Sequence, residues 1–477
     1  MLLLSLTYKK AVIILLIMGA LILLGPARNT AQEALARWSE PQVLFDTSEG
    51  WGEHNSLTAD LFGGAHLVWE HNPSASSSTD PAYRPDDNLF YYSHWDGAEW
   101  SAPVDILFGD ITYPRIAADP RGKLHLVFDN KQCVAYTWSW IVQAGSARSW
   151  SNATCAGPRA LNHAIAADAN GGLHVLLAQS GQLSYVQSDD GVIWSEPILI
   201  TETPGNATYV PSLAADAQGR LHAVWTQAQL PDGIPFLGVY YSRSDDGGRS
   251  WSPSQQLISG NYRDPNIAVF EENVYVVWNS GVVESRRFLA HSRDGGVTWT
   301  APVPIVQAFG GWLWHPGVAV DSSGTVHIVT AQGVGALYTA FLPDGRVSTP
   351  LQLFDPNEQT SAPDLVTIKG NQLLAVFRGA GSLIYLTGTT SARVVSPMPL
   401  PTMVPAPTLT MPKQVPTPES KPTGVPEKPT LAYRVSADVP GTPSRVQPLV
   451  WGIAPTVALV VGIVILVLQR RQRGYRR

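Results

Sequence analysis

Between His54 and Thr390 the chain runs in short stretches of alternating apolar and polar residues, broken by Gly-, Asp- and Pro-rich segments. No stretch there repeats apolar residues at helical spacing. Period-2 alternation sends successive side chains to opposite faces, so these runs read as β-strands. The runs also repeat. Tyr113 opens YPRIAADPRGKLHLVF, which returns as NHAIAADANGGLHVLL from Asn162 and VPSLAADAQGRLHAVW from Val210. Divergent copies begin at His54, Asp264, His315 and Ala362. Each copy reads as a strand a (I-A-A-D), a glycine turn and a strand b (L-H-x-V-W). His66, His125, His174, His222, Tyr275, His327 and Leu374 share one register position, at spacings of 47 to 59 residues. A period near 50 with strand-turn-strand content predicts the blades of a β-propeller.

The second half of each repeat supplies strands c and d. VYYSRSDDGGRSWSPSQQLI and FLAHSRDGGVTWTAPVPI both contain S-x-D-x-G-x-[ST]-W, as Ser244, Asp246, Gly248, Trp251 and as Ser292, Asp294, Gly296, Trp299. Decayed copies follow Ser93 and Ser188, with remnants near Trp150 and Asp344. This motif is the Asp-box, or bacterial neuraminidase repeat, and the chain here resembles the sialidase-type β-propeller superfamily over residues 38–390. In such a turn the carboxylate accepts backbone N–H bonds, glycine supplies positive φ, and tryptophan packs between blades. The expected fold is all-β, a propeller of seven four-stranded blades. WSEPQVLFD near the N-terminus supplies the missing outer strand of the last one. Six blades, the number in the sialidases proper, is the alternative count.

The two ends differ from the middle. Lys9 and Lys10 precede a 14-residue apolar run, and Ala34-Leu35-Ala36 offers a cleavage site, so residues 1–36 read as a signal peptide or an uncleaved signal anchor. The propeller is assigned 37–395. Residues 396–448, rich in Pro, Thr and Ser, read as an extended stalk. Residues 449–468 are uncharged and long enough to span a bilayer, and the Arg-rich 469–477 marks the cytoplasmic side. The expectation is therefore a single-pass cell-membrane protein, anchored by one C-terminal helix, with its propeller outside the cytoplasm.

A net charge of −6 with 15% charged residues gives no basic surface for nucleic acid, which is excluded as a partner. Cys133 and Cys155 are the only cysteines, and an even pair in an exported chain reads as a disulfide. Five repeat histidines invite a metal reading, but one register position spread around a ring cannot converge on one ion. Neither a metal nor another cofactor is expected.

Loops joining b to c, and d to the next a, share one face. They carry Trp51, Tyr83, Tyr113, Tyr209, Trp312, Trp314 and His315 beside arginines and acids. Rings that stack on sugars and forked guanidinium donors suit a glycan, and a glycan or surface protein is the expected partner. The family resemblance also implies a rival activity, sialidase chemistry with three arginines on a carboxylate, a Tyr–Glu nucleophile pair and an acid/base Asp. Arg84, Arg115, Arg263, Tyr262, Glu53 and Asp110 are the candidates for those roles. The family's early Arg-Ile-Pro is missing, so recognition without catalysis is the favoured reading. An envelope scaffold is the third.

Overall fold

A small repeat with one apolar strand face cannot bury that face alone and must stack on its neighbours. The computed structural model describes residues 35–46, 50–51, 54–73, 87–280, 286–307, 315–331, 335–355 and 357–400. Repeat 2 shows the plain case: Thr112–Ala118, Lys123–Asp129, Cys133–Trp140 and Thr154–Pro158 hydrogen-bond in sequence order as an antiparallel meander. The whole is an all-β propeller.

Among the described residues the strands form six hydrogen-bonded sheets, which corrects the expectation of seven separate blades. Repeats 3 and 4 share one six-stranded sheet. Leu173–Ser188 pairs with Asn162–Ala167 through its first half and with Ile198–Ala215 through its second. Ile198–Ala215 then continues onto Leu221–Gln229. Ser180 stands opposite Ala207, and the Thr208 hydroxyl bonds the carbonyl oxygens of Gln179 and Gln182 at 3.1 and 2.9 Å. The ladder therefore does not break where one repeat passes to the next.

Seven buried apolar clusters lie in the described residues, each shared by two consecutive repeats. In one, Leu57, Trp69 and Trp95 of repeat 1 meet Leu374, Val376 and Leu383 of repeat 7. The ring closes there. Ala36–Trp38 and Gln42–Asp46 pair antiparallel with Ser382–Thr390, as WSEPQVLFD suggested, so the last sheet has no free edge on that side. Ala36 is buried and its strand begins one residue before the assigned boundary. At the other end, the Val395 N–H donates to Lys369 O and the Met398 N–H to Leu61 O, both at 2.8 Å, so ordered contacts continue to residue 400. The leader up to residue 34, the stalk beyond 400, the helix at 449–468 and the tail at 469–477 lie outside the described residues. Among the described residues, no helix is long and apolar enough to cross a membrane.

The repeat histidines are structural. In five repeats a strand-c tyrosine hydroxyl lies 2.6–2.8 Å from Nδ1 of the strand-b histidine: Tyr92 with His66, Tyr136 with His125, Tyr185 with His174, Tyr241 with His222 and Tyr338 with His327. The Nε2 atoms lie 2.9–3.3 Å from the strand-a carboxylates of Asp60, Asp119, Asp168, Asp216 and Asp321. A carboxylate only accepts, so Nε2 carries the proton and Nδ1 accepts from tyrosine. The next repeat then contributes a tryptophan, edge-on to that tyrosine at 4.8–5.8 Å between centroids. The pairs are Trp150 on Tyr92, Trp194 on Tyr136, Trp251 on Tyr185, Trp299 on Tyr241, and Trp38 on Tyr338.

The S-x-D-x-G-x-[ST]-W turns lock into the same tyrosines. Asp246 accepts the Ser244 and Ser250 hydroxyls at 2.8 and 2.6 Å and the Ser250 N–H at 2.9 Å. Asp294 does the same with Ser292 and Thr298. The decayed turns keep the carboxylate role: Asp96 accepts from Ala98 and Glu99, and Asp190 from Val192 and Ile193. Gly248 and Gly296 have φ of +94° and +86°, and a Cβ on either would overlap the hydroxyl of Tyr185 or Tyr241 in the preceding repeat. Only glycine fits both demands. A disulfide joins Cys133 and Cys155 in repeat 2, with Cα atoms 5.8 Å apart.

His222→Leu should unpair the buried Tyr241 hydroxyl and leave Arg220 as the side-chain donor to Asp216 Oδ2, lowering stability by roughly 1–3 kcal/mol, as read by denaturant unfolding. Burial holds His125, His174 and His222 below the usual imidazole value, against the pull of their aspartates. Such groups stabilise fully above about pH 6.5 and lose that contribution as pH falls. Burial opposes ionisation of Asp216 and Asp321, yet hydrogen bonds led by His222 and His327 hold both low, Asp321 at about 2. Their contribution is present above about pH 4 and lost below it. The thermal midpoint should therefore drop in two stages on acidification, the first shallower in His222→Leu.

Candidate functional site

Strand a of every repeat starts at the loop-bearing face and runs along the ring's axis. In repeats 2, 4, 5 and 7 that start is irregular in one way: a left-handed residue precedes a proline, at Tyr113, Val210, Asp264 and Ala362, with φ of 44–57°. The pairing register slips there in all four. A bulge of this kind bends the strand and re-aims the residues after it. Those residues, Arg115, Ser212, Asn266 and Asp364, line a cavity of about 150 Å³ on the axis, with Asn55 from repeat 1 and His315 before repeat 6.

Much of this lining links the repeats together. Asp364 accepts the Leu57 N–H at 2.8 Å, and the Ser56 hydroxyl accepts the Ile116 N–H at 3.1 Å. His163 Nε2 donates to Tyr113 O, Ser212 donates to Asn266, and Asn266 donates to Pro316 O, each at 2.8 Å. Arg115 stands apart. Its hydrogen bond among the described residues is Nη1 to Pro114 O at 3.0 Å, leaving most of its donors uncommitted. Burial lowers its pKa against the charges of Asp364, Tyr113 and Glu70. Burial pushes Asp364 up to about 6 and, with Arg115, takes His315 down to about 3.

A second polar layer sits at the ends of strands b. Glu70 is buried and accepts the Thr112 hydroxyl at 2.8 Å, the Tyr113 N–H at 3.3 Å and a contact from His54 at 3.2 Å. Arg378 donates to Glu70 O at 2.7 Å. Arg287, fully buried, donates to Asn279 at 2.9 Å and to Ala331 O at 3.0 Å. Beside the axis, a cavity of about 490 Å³ lies between repeats 2 and 3, lined by Tyr113, Asp129, Lys131, Arg159 and Gln179.

The residues predicted from sequence fall into three groups. Arg115 and His315 meet in the axial cavity, with Tyr113 beside them. Tyr262, Arg263, Asp110 and Tyr209 sit elsewhere. Tyr262 packs edge-on against Phe288 at 5.6 Å, and Arg263 pairs with Asp264 at 3.4 Å and covers the Phe236 ring. Asp110 is exposed, 3.7 Å from Lys131 Nζ, and Tyr209 pairs with Thr226 beside the Gly233 turn. For Trp51 only the backbone is described, opposite Asn72. Glu53, Tyr83, Arg84, Trp312 and Trp314 lie outside the described residues. Asn55, Glu70, His163 and Asp364 were missed. Of these Glu70 had a signal, a positional one: Glu70, Asp129, Asn279 and Arg378 each stand four residues after the repeat's histidine position, where strand b reaches the mouth.

With the repeat, the turns and the closed ring in place, the architecture can be named. The fold is an all-β propeller. No family model matches the chain, and no curated protein matches it in sequence. The likeness is to solved structures at low identity. An ulvan lyase, a polysaccharide lyase bound to a saccharide, is 10% identical with a TM-score of 0.51, covering 73% of this chain and 95% of its own. A protein of unknown function from Dyadobacter fermentans is 13% identical, covering 75% and 99%, with a TM-score of 0.48. The intramolecular trans-sialidase of Ruminococcus gnavus is 12% identical, covering 73% and 96%, with a TM-score of 0.40. At these identities the likeness is one of fold.

Asp364 should titrate near pH 6 in a carboxyl NMR experiment, while Asp321 stays ionised to about pH 2. A raised carboxyl contributes stability below its unfolded value near 4 that is lost as pH rises through 6, opposite in sign to the relay aspartates.

Proposed function

We propose that this chain is a surface-anchored propeller that recognises carbohydrate at the channel mouth without cleaving it. Arg115 carries the reading: among the described arginines it alone lines the axial cavity, with donors uncommitted, at the centre of the loop-bearing face. A three-arginine clamp would need partners beside it. Arg263 is drawn to Asp264 and Phe236, and Arg287 and Arg378 tie strands of neighbouring repeats. The carbohydrate-active relatives in fold support a saccharide as the ligand class.

The leader, stalk and C-terminal helix are proposed from sequence, with the propeller outside the cytoplasm. Hydrolysis is the second reading, favoured by one contact: the Glu70 carboxylate lies against the Tyr113 backbone, next to Arg115.

A soluble fragment, residues 35–400, tested on a glycan array and with a fluorogenic sialoside at pH 4–8, separates the two readings. Binding without turnover, weakened at least tenfold by Arg115→Ala, is the expected result. Turnover lost in Arg115→Ala would replace recognition with hydrolysis.

A further inference from the structure

Asn55 begins strand a of repeat 1, opposite Trp69, and is 1% exposed. Both polar atoms of its side-chain amide lack a hydrogen-bond partner among the described residues. A buried amide in that condition forfeits its hydration without replacement, and a native fold rarely keeps one without use. Asn55 borders the axial cavity together with Arg115, His315 and Asp364. No hydrogen bond holds the amide where it stands, so turning it toward the cavity breaks none.

The charges around the cavity restrict what it can hold. Arg115 feels Asp364 more than any other charged group. Asp364 already accepts the N–H groups of Leu57 and Leu365. With Asp364 at about 6 and His315 at about 3, the channel at pH 7 holds one cation, one anion and a neutral ring. Glu70 and His54 flank the mouth, Arg378 meets the Glu70 carbonyl, and Arg287 faces Asp264. A further buried negative charge would have no counter-charge of its own. A neutral group would be matched: its oxygen accepts from Arg115 and the Asn55 amide, and its O–H or N–H donates to the Asn55 carbonyl.

We propose that the axial cavity is a subsite for a neutral, oxygen-rich sugar substituent, a hydroxymethyl or acetamido group, and that Asn55 is its specificity-determining residue. This rests on the carbohydrate-recognition reading and narrows it: the central contact selects against a carboxylate.

The test is calorimetric binding of N-acetylglucosamine, methyl galactoside and glucuronate to the full chain in detergent micelles. At least one neutral probe should bind, more tightly than glucuronate. Asn55→Leu, which swaps an unpaired amide for an apolar group of similar size, should keep or raise the thermal midpoint and weaken that probe about tenfold or more, the size of one or two lost hydrogen bonds. If the leucine variant does not fold, Asn55→Ala gives the same reading. Tighter binding of glucuronate, unchanged affinity in a folded Asn55 variant, or failure of both neutral probes with folded wild-type chain overturns the subsite. If a glycan still binds in those cases and Arg115→Ala weakens it, recognition at the mouth stands alone. If no glycan binds at all, both readings fall.

Discussion

Everything in this ring depends on each repeat finishing the polar and aromatic contacts of its neighbour. The Asp–His–Tyr relay lies within one repeat, but the tryptophan that covers its tyrosine belongs to the next. The glycine of the next turn has to leave room for the same hydroxyl. A repeat on its own would expose the tyrosine face and leave its strand-a hydrogen bonds unmatched. Since an unsatisfied buried polar group costs more than a formed bond gains, the repeats are stable only as a closed set. The turn motif accordingly tolerates Glu99 and Ile193 in place of the Ser/Thr before its tryptophan, yet keeps an acid at Asp96 and Asp190.

The channel inherits its chemistry from the same demand. Bulges before Pro114, Pro211, Pro265 and Pro363 turn strand-a side chains toward the axis, and most of those side chains then bridge repeats. Among the described residues, the Arg115 donors and the Asn55 amide remain uncommitted. The strands that carry these two residues are held in place by bonds between repeats, Ile116 to Ser56 and Leu57 to Asp364. Rigid placement of few polar groups favours recognition, in which little ordering entropy is lost on binding.

The fold was legible because repetition multiplies a weak signal. One L-H-x-V-W segment means little, but seven register-matched copies predict a ring, and WSEPQVLFD predicts its closure. The histidines were legible as structural for the same reason. The shared sheet of repeats 3 and 4 was not, because it turns on Ser180 pairing with Ala207 across a connection that looks like an ordinary loop. The site was read only in part. Loop position brought out Arg115 and His315, whereas Tyr262 resembled a reactive group in sequence and is a packing residue beside Phe288. Asp364 and Asn55 carry no motif, and their roles come from convergence across the axis.

The N-terminal closure also sets an order of events. The strands at Ala36–Trp38 and Gln42–Asp46 precede the rest of the ring in sequence, yet their partner is Ser382–Thr390, the last strand of the ring. The Thr387 N–H donates to the Ser39 hydroxyl across 348 residues of chain. Contacts so far apart in sequence form late, because the loop must be closed before they give anything back. Until then both ends present open strand edges. Until it closes the ring is an unsealed arc, and the strands at Ala36–Trp38 and Gln42–Asp46 become the clasp that ends its exposure to other chains.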